Sequence, residues 1–464
     1  MPAIRIVSEP PGPKARQVVE ETTEVLSPSI SRFYPLVVES AHDCIVKDVD
    51  GNQFIDFNSG IAVLNVGSTN EKVVRAASEQ LSKFTHYSYT DFYYENINKL
   101  AEKLIDIYPR SPEERTERKD SKPRAQVFYG NSGTEAIEAA IKLARYATGR
   151  NRLIAYTGCF HGRTMGSLSL TSSKPAQVKG FSPLVPGVEH VPFPYCYRCP
   201  IKQEYPSCGL ACIDYIEEQY FEKYVPPEEV AAFFIEPIQG EGGYVVPPDD
   251  YFRELFRRFK KYGMLFVADE VQSGVGRTGK WFAIEHFGVV PEMIALAKAL
   301  CGGLPIGALV AKSEVMTWGP GSHASTFGGN PVSAAGGTAT LSFIEENKLL
   351  ENARKQGEYM MGIFKEWKER YEIVGDVRGK GLMIGIELVK DKESKAFGQR
   401  EAQEIVTRTW KRGVLLITSG RSTLRIVPPL TITRELVDEA LGVIEQSIRE
   451  VNDETIKSPK HSAS

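Results

Sequence analysis

Two short apolar runs, each followed by a charged residue and then a glycine-rich stretch, constrain the fold of this chain most strongly. The first, residues 264–268, leads into Asp269, and the second, residues 293–297, leads into Lys298. Short apolar runs bounded by such segments are typical of buried parallel strands. Because the carboxyl ends of parallel strands border the ligand crevice of an open α/β sheet, we expect Asp269 and Lys298 to face one site.

A lysine and an aspartate at one buried site suggest a particular cofactor. A lysine amine can form a Schiff base with a carbonyl group. A carboxylate can keep the pyridine nitrogen of pyridoxal phosphate (PLP) protonated, so that the ring remains an electron sink. Taken singly, Lys298 is more simply a lysine that reaches solvent and Asp269 a helix cap. Together the two residues predict PLP as the cofactor.

The same two segments carry a family resemblance. Residues 267–279 (VADEVQSGVGRTG) and 297–307 (AKALCGGLPIG) resemble the class III (omega-) aminotransferases of PLP fold type I, most of all the 4-aminobutyrate aminotransferases. The resemblance covers nearly the whole chain. It implies an α/β fold with a large, mostly parallel sheet domain and a smaller C-terminal α/β domain. The expected division is an N-terminal arm joining the small domain (1–60), a large PLP-binding domain (61–331) and a small domain (332–464).

Composition narrows the range of partners. The 464 residues include 56 basic and 59 acidic side chains, for a formal net charge of −3, and no basic stripe marks a nucleic-acid or membrane-surface protein. No apolar run is long enough to span a membrane, and the first residues lack an apolar signal core. The sequence therefore predicts a soluble, cytoplasmic protein that acts on small molecules.

A second motif predicts where the cofactor phosphate binds. Residues 126–129 are expected to form a strand that runs into GNSGTE (130–135), followed by apolar residues at helical spacing. A small-residue loop that opens a helix presents free amides and the positive end of the helix dipole to an anion. Ser132, Gly133 and Thr134 are therefore candidate phosphate ligands, although such a motif alone is more often an ordinary capping turn.

The resemblance implies further contacts with the cofactor. Phe160 corresponds to the aromatic residue that stacks on one face of the pyridine ring, and Val271 would press on the other face. A lone phenylalanine is otherwise most simply a core residue. Gln272 is expected to bond the ring hydroxyl and Glu236 to support the hydrogen bonds around the ring. Thr326 corresponds to a threonine that reaches the phosphate bound by the other subunit, so a homodimer or higher homo-oligomer with shared sites is expected.

Four residues are assigned to the substrate by the same resemblance. Ile61 would line the pocket, and Arg163 could hold a distant carboxylate through its bidentate fork. Arg425 would bind an α-carboxylate. Glu241 would pair with Arg425 and swing away when that carboxylate arrives, so it is grouped with Lys298 and Asp269 as catalytic. The simpler alternatives are a structural arginine at 163 and a glutamate that closes a glycine-rich turn.

These residues predict PLP-dependent transamination of an omega-amino acid, similar to 4-aminobutyrate, with 2-oxoglutarate as the amino acceptor. A racemase or epimerase of the same family is the first alternative, and no residue excludes it. An ornithine aminotransferase is the other, but ornithine enzymes of the family carry a tyrosine where Ile61 stands. A non-catalytic ligand sensor is disfavoured, because Lys298, Asp269 and the phosphate loop are intact and no DNA-binding segment is appended.

Four of the seven cysteines form a C-x2-C-x8-C-x3-C cluster at Cys196, Cys199, Cys208 and Cys212. The spacing could serve a structural zinc ion or two local disulfides, but the x8 gap is short for a zinc ribbon. Reduced thiols in an insertion are the expected state in a cytosol. In either case we expect no catalytic metal.

Local patterns predict some elements outside the site. Residues 15–26 are expected to be helical, and an Asp-Gly turn near Gly51 is typical of a hairpin. Polar residues 113–122 are expected to form a surface loop, and the polar C-terminal residues 454–464 to be disordered.

Overall fold

The structure, a computed structural model, describes residues 2–110 and 124–457. The chain divides into two compact units: a central unit, Glu71–Leu350, and a terminal unit made of Met1–Asn70 and Glu351–Ser464. This division into two units does not test the domain boundaries expected from the sequence, which therefore stay a prediction. The surface loop expected at 113–122 lies outside the described residues.

Strands and helices alternate through most of the chain. The strands are β1 (Val38–His42), β2 (Ile45–Asp48), β3 (Gln53–Asp56), β4 (Ala125–Gly130), β5 (Arg152–Tyr156), β6 (Val188–Val191), β7 (Val230–Ile235), β8 (Leu265–Asp269), β9 (Met293–Leu296), β10 (Gly307–Lys312), β11 (Val374–Lys380), β12 (Met383–Leu388), β13 (Val414–Leu415), β14 (Ile417–Ser419) and β15 (Thr423–Ile426). The helices are α1 (Pro13–Val25), α2 (Ser59–Ala62), α3 (Glu71–Leu81), α4 (Glu95–Ile107), α5 (Gly133–Thr148), α6 (Met165–Leu170), α7 (Ala211–Ile216), α8 (Tyr251–Phe259), α9 (Pro331–Glu346), α10 (Leu349–Arg370), α11 (Gln399–Lys411) and α12 (Arg434–Lys457).

The central unit is built on a seven-stranded sheet in the order β4-β10-β9-β8-β7-β5-β6. Strands β9, β8, β7, β5 and β6 are parallel neighbours, whereas β10 runs antiparallel to both β9 and β4. All residues of β7 and β9 are buried, as expected for strands covered on both faces. The mostly parallel sheet predicted from the sequence is confirmed, and its carboxyl edge carries the residues discussed below.

Helix α5 shows why the motif at 130–135 becomes a strand, a turn and a helix. Ser132 is the N-cap, and its hydroxyl accepts a hydrogen bond from the Glu135 amide. The helix ends at Gly149, whose φ of 68° is in the left-handed region that glycine adopts without strain. Buried residues such as Ile137 and Ala140 pack into a core cluster with the sheet. The packed face fixes the helix N-terminus beside the end of β4.

The terminal unit contains two four-stranded sheets, β1-β2-β3-β13 and β11-β12-β15-β14. Strands β2 and β3 form the predicted hairpin, with Gly51 at a φ of 90° in its turn. Strand β13 pairs in parallel with β3, which brings residues from both ends of the chain into one sheet. Strand β15, which carries Arg425, is a central strand of the second sheet.

One expectation for the terminal unit was wrong in detail. Helix α12 continues to Lys457, so the first residues of the supposed disordered tail are helical. The Arg408 guanidinium holds Glu454 there, with 2.8 Å between Nη2 and Oε2. Residues 458–464 lie outside the described part of the chain.

None of the helices within residues 2–110 and 124–457 is both long and apolar enough to cross a membrane. The four clustered cysteines are free thiols. In the same part of the chain, no group of three or more His, Cys, Asp or Glu side chains is arranged to hold a metal ion. Burial raises the pKa of Cys212 to about 12, so this thiol stays protonated at neutral pH.

Candidate active site

The carboxyl ends of three neighbouring strands bring together an acid, a second acid and a lysine. Asp269 is the last residue of β8 and pairs in register with Ala295 of β9. Glu236 follows Ile235, which lies opposite Ala268, so the two acids are adjacent. Lys298 comes shortly after the end of β9 and has a positive φ of 22°. The predicted convergence of Asp269 and Lys298 on one sheet edge therefore matches the strand topology.

Asp269 is held by a buried histidine. The Oδ2 atom lies 2.7 Å from Nδ1 of His161, and both side chains are buried. A carboxylate can only accept, so this imidazole nitrogen carries the proton. The other carboxylate oxygen accepts the Val271 amide at 3.1 Å. The aspartate thus has a fixed orientation before any ligand binds.

Glu236 ties the loop after β5 to the loop after β7. One oxygen accepts the Phe160 amide at 2.8 Å and the other accepts the Gly240 amide at 3.0 Å. Burial, and then the negative charge of Asp269, raise the pKa of Glu236 above its ordinary value, while the electrostatic influence of the His161 ring opposes that rise. The carboxylate fixes the backbone of Phe160, whose side chain is half-buried.

Gln272 and Val271, the two residues expected beside the ring, are held in different ways. The Gln272 carbonyl oxygen accepts a hydrogen bond from the Tyr244 hydroxyl at 2.8 Å, and both side chains are buried. Val271 lies against Gly133, where an added Cβ would be only 2.8 Å from the valine Cγ1. Glycine at 133 therefore permits the start of α5 to approach the loop after β8.

The expected phosphate loop starts a helix, as predicted. Gly133 and Thr134 are in the first turn of α5, where backbone amides lack partners within the helix. The Thr134 hydroxyl is engaged by its neighbours, at 2.8 Å from the Thr164 hydroxyl and 2.6 Å from the Ser167 hydroxyl. The backbone amides of this first turn are therefore the main hydrogen-bond donors available to an anion at this end of the helix.

Thr326 lies on a segment held next to the same loop. Its neighbour Ser325 accepts a hydrogen bond from the Asn131 side-chain amide at 3.1 Å, while Thr326 itself is exposed. The adjacent Phe327 is 62% exposed, which is unusual for a large apolar side chain. Both exposed side chains therefore remain accessible to another molecule.

The four residues assigned to the substrate do not all lie in one unit. Arg163 and Glu241 belong to the central unit, whereas Ile61 and Arg425 belong to the terminal unit. The exposed Arg163 guanidinium lies over the Phe160 ring, 5.6 Å from its centroid. Glu241 pairs with Lys174, with 3.4 Å between Oε2 and Nζ. Its expected pairing with Arg425 stays a prediction.

Within the terminal unit, Arg425 is buried, and its Nε donates to the Thr418 carbonyl at 3.0 Å. Ile61 is 39% exposed and has a left-handed φ of 67°. Such a conformation is strained for a β-branched residue.

Sequence patterns did not identify the side chains that contact Asp269 and Glu241, which are His161 and Lys174. His161 directly follows Phe160 in the loop after β5, but nothing in the spacing pairs it with an aspartate more than a hundred residues later. Lys174 lies in a polar stretch with no motif of its own. Only the folded chain places these side chains beside Asp269 and Glu241.

The residues fit PLP. With PLP bound, Lys298 would offer an amine to the aldehyde, Asp269 a buried and oriented carboxylate to the pyridine nitrogen, and the start of α5 a helix N-terminus to the phosphate. The glycine at 133 leaves room for the close packing that such a cradle needs.

Comparison with known proteins identifies the class. The model of the aminotransferase class-III family matches residues 27–448, and the chain belongs to this family of PLP-dependent enzymes.

Similar proteins include the leucine/methionine racemase of Thermococcus litoralis, 42% identical over 95% of this chain and 97% of that protein. The alanine/serine racemase of Pyrococcus horikoshii is 40% identical over 96% of this chain and 93% of that protein. The 4-aminobutyrate aminotransferase of Mycobacterium bovis is 36% identical over 95% of this chain and 97% of that protein. Among solved structures, the omega transaminase from Pseudomonas jessenii in complex with PMP has a TM-score of 0.86 at 27% identity, covering 95% of this chain and 99% of that chain.

Proposed function

We propose that this enzyme racemises or epimerises an α-amino acid with a neutral side chain. The observation that carries the proposal is that, along nearly its full length, this chain has a higher sequence identity to two racemases than to a 4-aminobutyrate aminotransferase. Two relatives named as racemases are 40% and 42% identical, whereas the relative named as a 4-aminobutyrate aminotransferase is 36% identical. The racemases are named for leucine and methionine or for alanine and serine, which suggests an uncharged side chain.

The chemistry of the site suits proton transfer at an α-carbon. When bound, PLP supplies an electron sink that makes the α C–H bond of an amino acid acidic. Lys298 is proposed to take this proton and to take part in its return. Asp269, oriented by His161, is proposed to keep the pyridine nitrogen protonated. Inversion then requires that the proton return on the opposite face of the α-carbon.

Several residues are proposed to hold the cofactor. The amides of Gly133 and Thr134, with Ser132, would bind the phosphate, while Phe160 and Val271 would enclose the ring. Glu236 would support the loop that carries Phe160, and Gln272 would bond the ring hydroxyl.

We also propose a homodimer with shared sites, in which the exposed Thr326 reaches the partner's phosphate. The exposure of Thr326 and Phe327 supports this assembly. The cytoplasmic location expected from the sequence stays a prediction.

Transamination of an omega-amino acid with 2-oxoglutarate is the second candidate. It is favoured by the exposed Arg163 guanidinium over the Phe160 ring, because a cation there could bind a carboxylate distant from the reacting amine. In that reaction Ile61, Arg425 and Glu241 would have the substrate roles that the family resemblance implies. Ornithine as the donor is a further variant of this candidate.

One experiment separates the two reactions. The purified PLP-loaded enzyme is incubated with L-leucine, L-methionine, L-alanine, L-serine or 4-aminobutyrate, with and without 2-oxoglutarate. Chiral chromatography measures the D-enantiomer, and a coupled assay measures glutamate. Formation of a D-amino acid without 2-oxoglutarate supports the proposal. Glutamate formation from 4-aminobutyrate, with no inversion of any α-amino acid, would favour the second candidate. The Lys298→Ala variant is the control for both assays.

A further inference from the structure

The short element α2 is a left-handed turn. The φ angles of its successive residues Ser59, Gly60, Ile61 and Ala62 are 51°, 59°, 67° and 58°. The amides of Ile61 and Ala62 close the turn by donating to the Asn58 carbonyl, at 2.9 and 3.1 Å. Glycine alone enters this region freely, because in other residues Cβ comes too close to the following carbonyl oxygen. A left-handed run of mostly non-glycine residues persists only where its surroundings hold it in place.

Two buried side chains supply that restraint. The Oδ1 atom of Asp56 accepts the Asn58 amide at 2.7 Å and the Ser59 amide at 2.8 Å, which fixes the start of the turn. The Ser59 hydroxyl donates to the Val427 carbonyl at 2.7 Å. Asp56 and Ser59 are both buried. Because breaking a buried hydrogen bond leaves a polar group without a partner, the bond to Val427 resists rupture.

The bond to Val427 also ties the turn to the strand that carries Arg425. Val427 comes directly after β15, and its amide donates to the Phe57 carbonyl at 3.0 Å. Val427 is therefore held through both its amide and its carbonyl by residues next to or within the turn. As a result, the backbone of Ile61 is fixed relative to the end of β15, within the terminal unit.

Neither backbone preference nor burial explains an isoleucine at position 61. A β-branched residue tolerates a left-handed φ poorly. The side chain is also 39% exposed, so burial does not offset the strain. Strained residues of this kind cluster at ligand sites, where the strain serves to fix a contact in advance. An exposed apolar side chain on a rigid turn suits contact with an apolar group of a ligand.

We propose that Ser59, supported by Asp56, is a positioning residue that locks the left-handed turn and so holds Ile61 against the side chain of the amino-acid substrate. The proposal deepens the proposed function, on which it rests for the choice of substrate, because it names a contact that separates larger from smaller side chains. Leucine would touch Ile61 more than alanine does, since its side chain is longer. Ser59 would act only through Ile61.

The test compares the binding of L-leucine and L-alanine to the PLP-loaded enzyme, followed through the absorbance of the bound cofactor. Ile61→Ala removes the proposed contact, Ser59→Ala removes the bond to Val427, and a double variant combines the two changes. Ser422→Ala is the matched control, because its buried hydroxyl also donates at 2.7 Å to a backbone carbonyl, that of Leu388, at the other end of β15. Urea unfolding checks that each variant is folded.

Ile61→Ala and Ser59→Ala are each expected to weaken leucine binding by about fourfold, as for loss of one buried methylene group. Alanine binding should change by less than about twofold, since its side chain reaches Ile61 least. The double variant should lose no more than Ile61→Ala alone, because two residues that act through one contact are not additive. Ser422→Ala should bind both amino acids as the wild type does.

Three results would each overturn the proposal: equal losses for leucine and alanine in Ser59→Ala, losses that add in the double variant, or unchanged binding in a folded Ser59→Ala variant. Failure of the proposed reaction looks different, because the wild type would then invert neither amino acid and would form glutamate from 4-aminobutyrate. In that case the same variants are compared on 4-aminobutyrate and 5-aminovalerate, which differ by one methylene group, and additive losses in the double variant would again overturn the role of Ser59.

Discussion

Replacing Gly242 with alanine should disrupt the site without touching any reacting group. Gly242 is in the loop that carries Glu236 and Glu241. A Cβ added there would lie 2.4 Å from the carbonyl oxygen of Gly158, in the loop that carries Phe160. Because the obstacle is backbone, no side-chain rotation relieves the clash. The two loops must move apart.

The structure sets the size of the effect. Ordinary contact begins near 3.4 Å, so a separation of 2.4 Å requires a shift of roughly 1 Å. A shift of this size would break the bond from the Phe160 amide to Glu236, now 2.8 Å, and that from Gln239 Nε2 to the Thr157 carbonyl, now 2.9 Å. Loss of one bond to a carboxylate and one to a carbonyl costs about 3 kcal/mol. A displacement of about 1 Å at a reacting centre can lower kcat/KM by about 100-fold.

The assays are equilibrium unfolding of the apoenzyme and kcat/KM of the PLP-loaded enzyme in whichever of the two reactions the wild type performs. Gly319→Ala is the matched control, because a Cβ at Gly319 meets nothing within 4 Å and its φ is not in the left-handed region. The control should behave as the wild type does. If Gly242→Ala is as stable and as active as Gly319→Ala, the close packing of the two loops has no functional consequence and the reasoning is wrong.

Three further outcomes are expected. Lys298→Ala should abolish turnover, and borohydride reduction of the wild-type enzyme should attach the cofactor to Lys298, as peptide mapping can check; a label on another lysine would contradict the assignment. Asp269→Asn should retain some cofactor but lose most turnover, because an amide cannot keep the pyridine nitrogen protonated, and near-normal steady-state rates would argue against this role. Burial raises the pKa of Glu270 from 4.5 to about 7, so over this range the folded protein retains a proton that the unfolded chain has released. The free energy of unfolding of the apoenzyme should therefore fall as pH rises from 5 to 7.5, by about 2 kcal/mol from this group. Urea titrations should show a smaller decrease for Glu270→Gln.

Much of this site could be predicted because its main signals are local. The strand that ends at Asp269, the strand that precedes Lys298 and the helix that starts after Ser132 each depend on apolar spacing, glycines and a cap within about a dozen residues. Parallel strands then bring their carboxyl ends to one edge by a general rule of α/β sheets. The family resemblance added the expected cofactor contacts.

Contacts between distant segments could not be predicted in this way. Three contacts show this: the bond between His161 and Asp269, the pairing of Lys174 with Glu241, and the hydrogen bond from the Thr164 hydroxyl to the Glu138 carboxylate. Each joins residues on different loops or elements. Their geometry depends on how those elements pack, which no local pattern records.

The sequence by itself determined the parallel strands, the capped helix and the family, because short-range periodicity and motif residues encode them. The tertiary structure alone decided that β10 runs antiparallel between β4 and β9 and that a buried imidazole orients Asp269. The physical reason is that a buried polar group must find its partner wherever packing brings one within hydrogen-bond distance, however far apart the two lie in the chain.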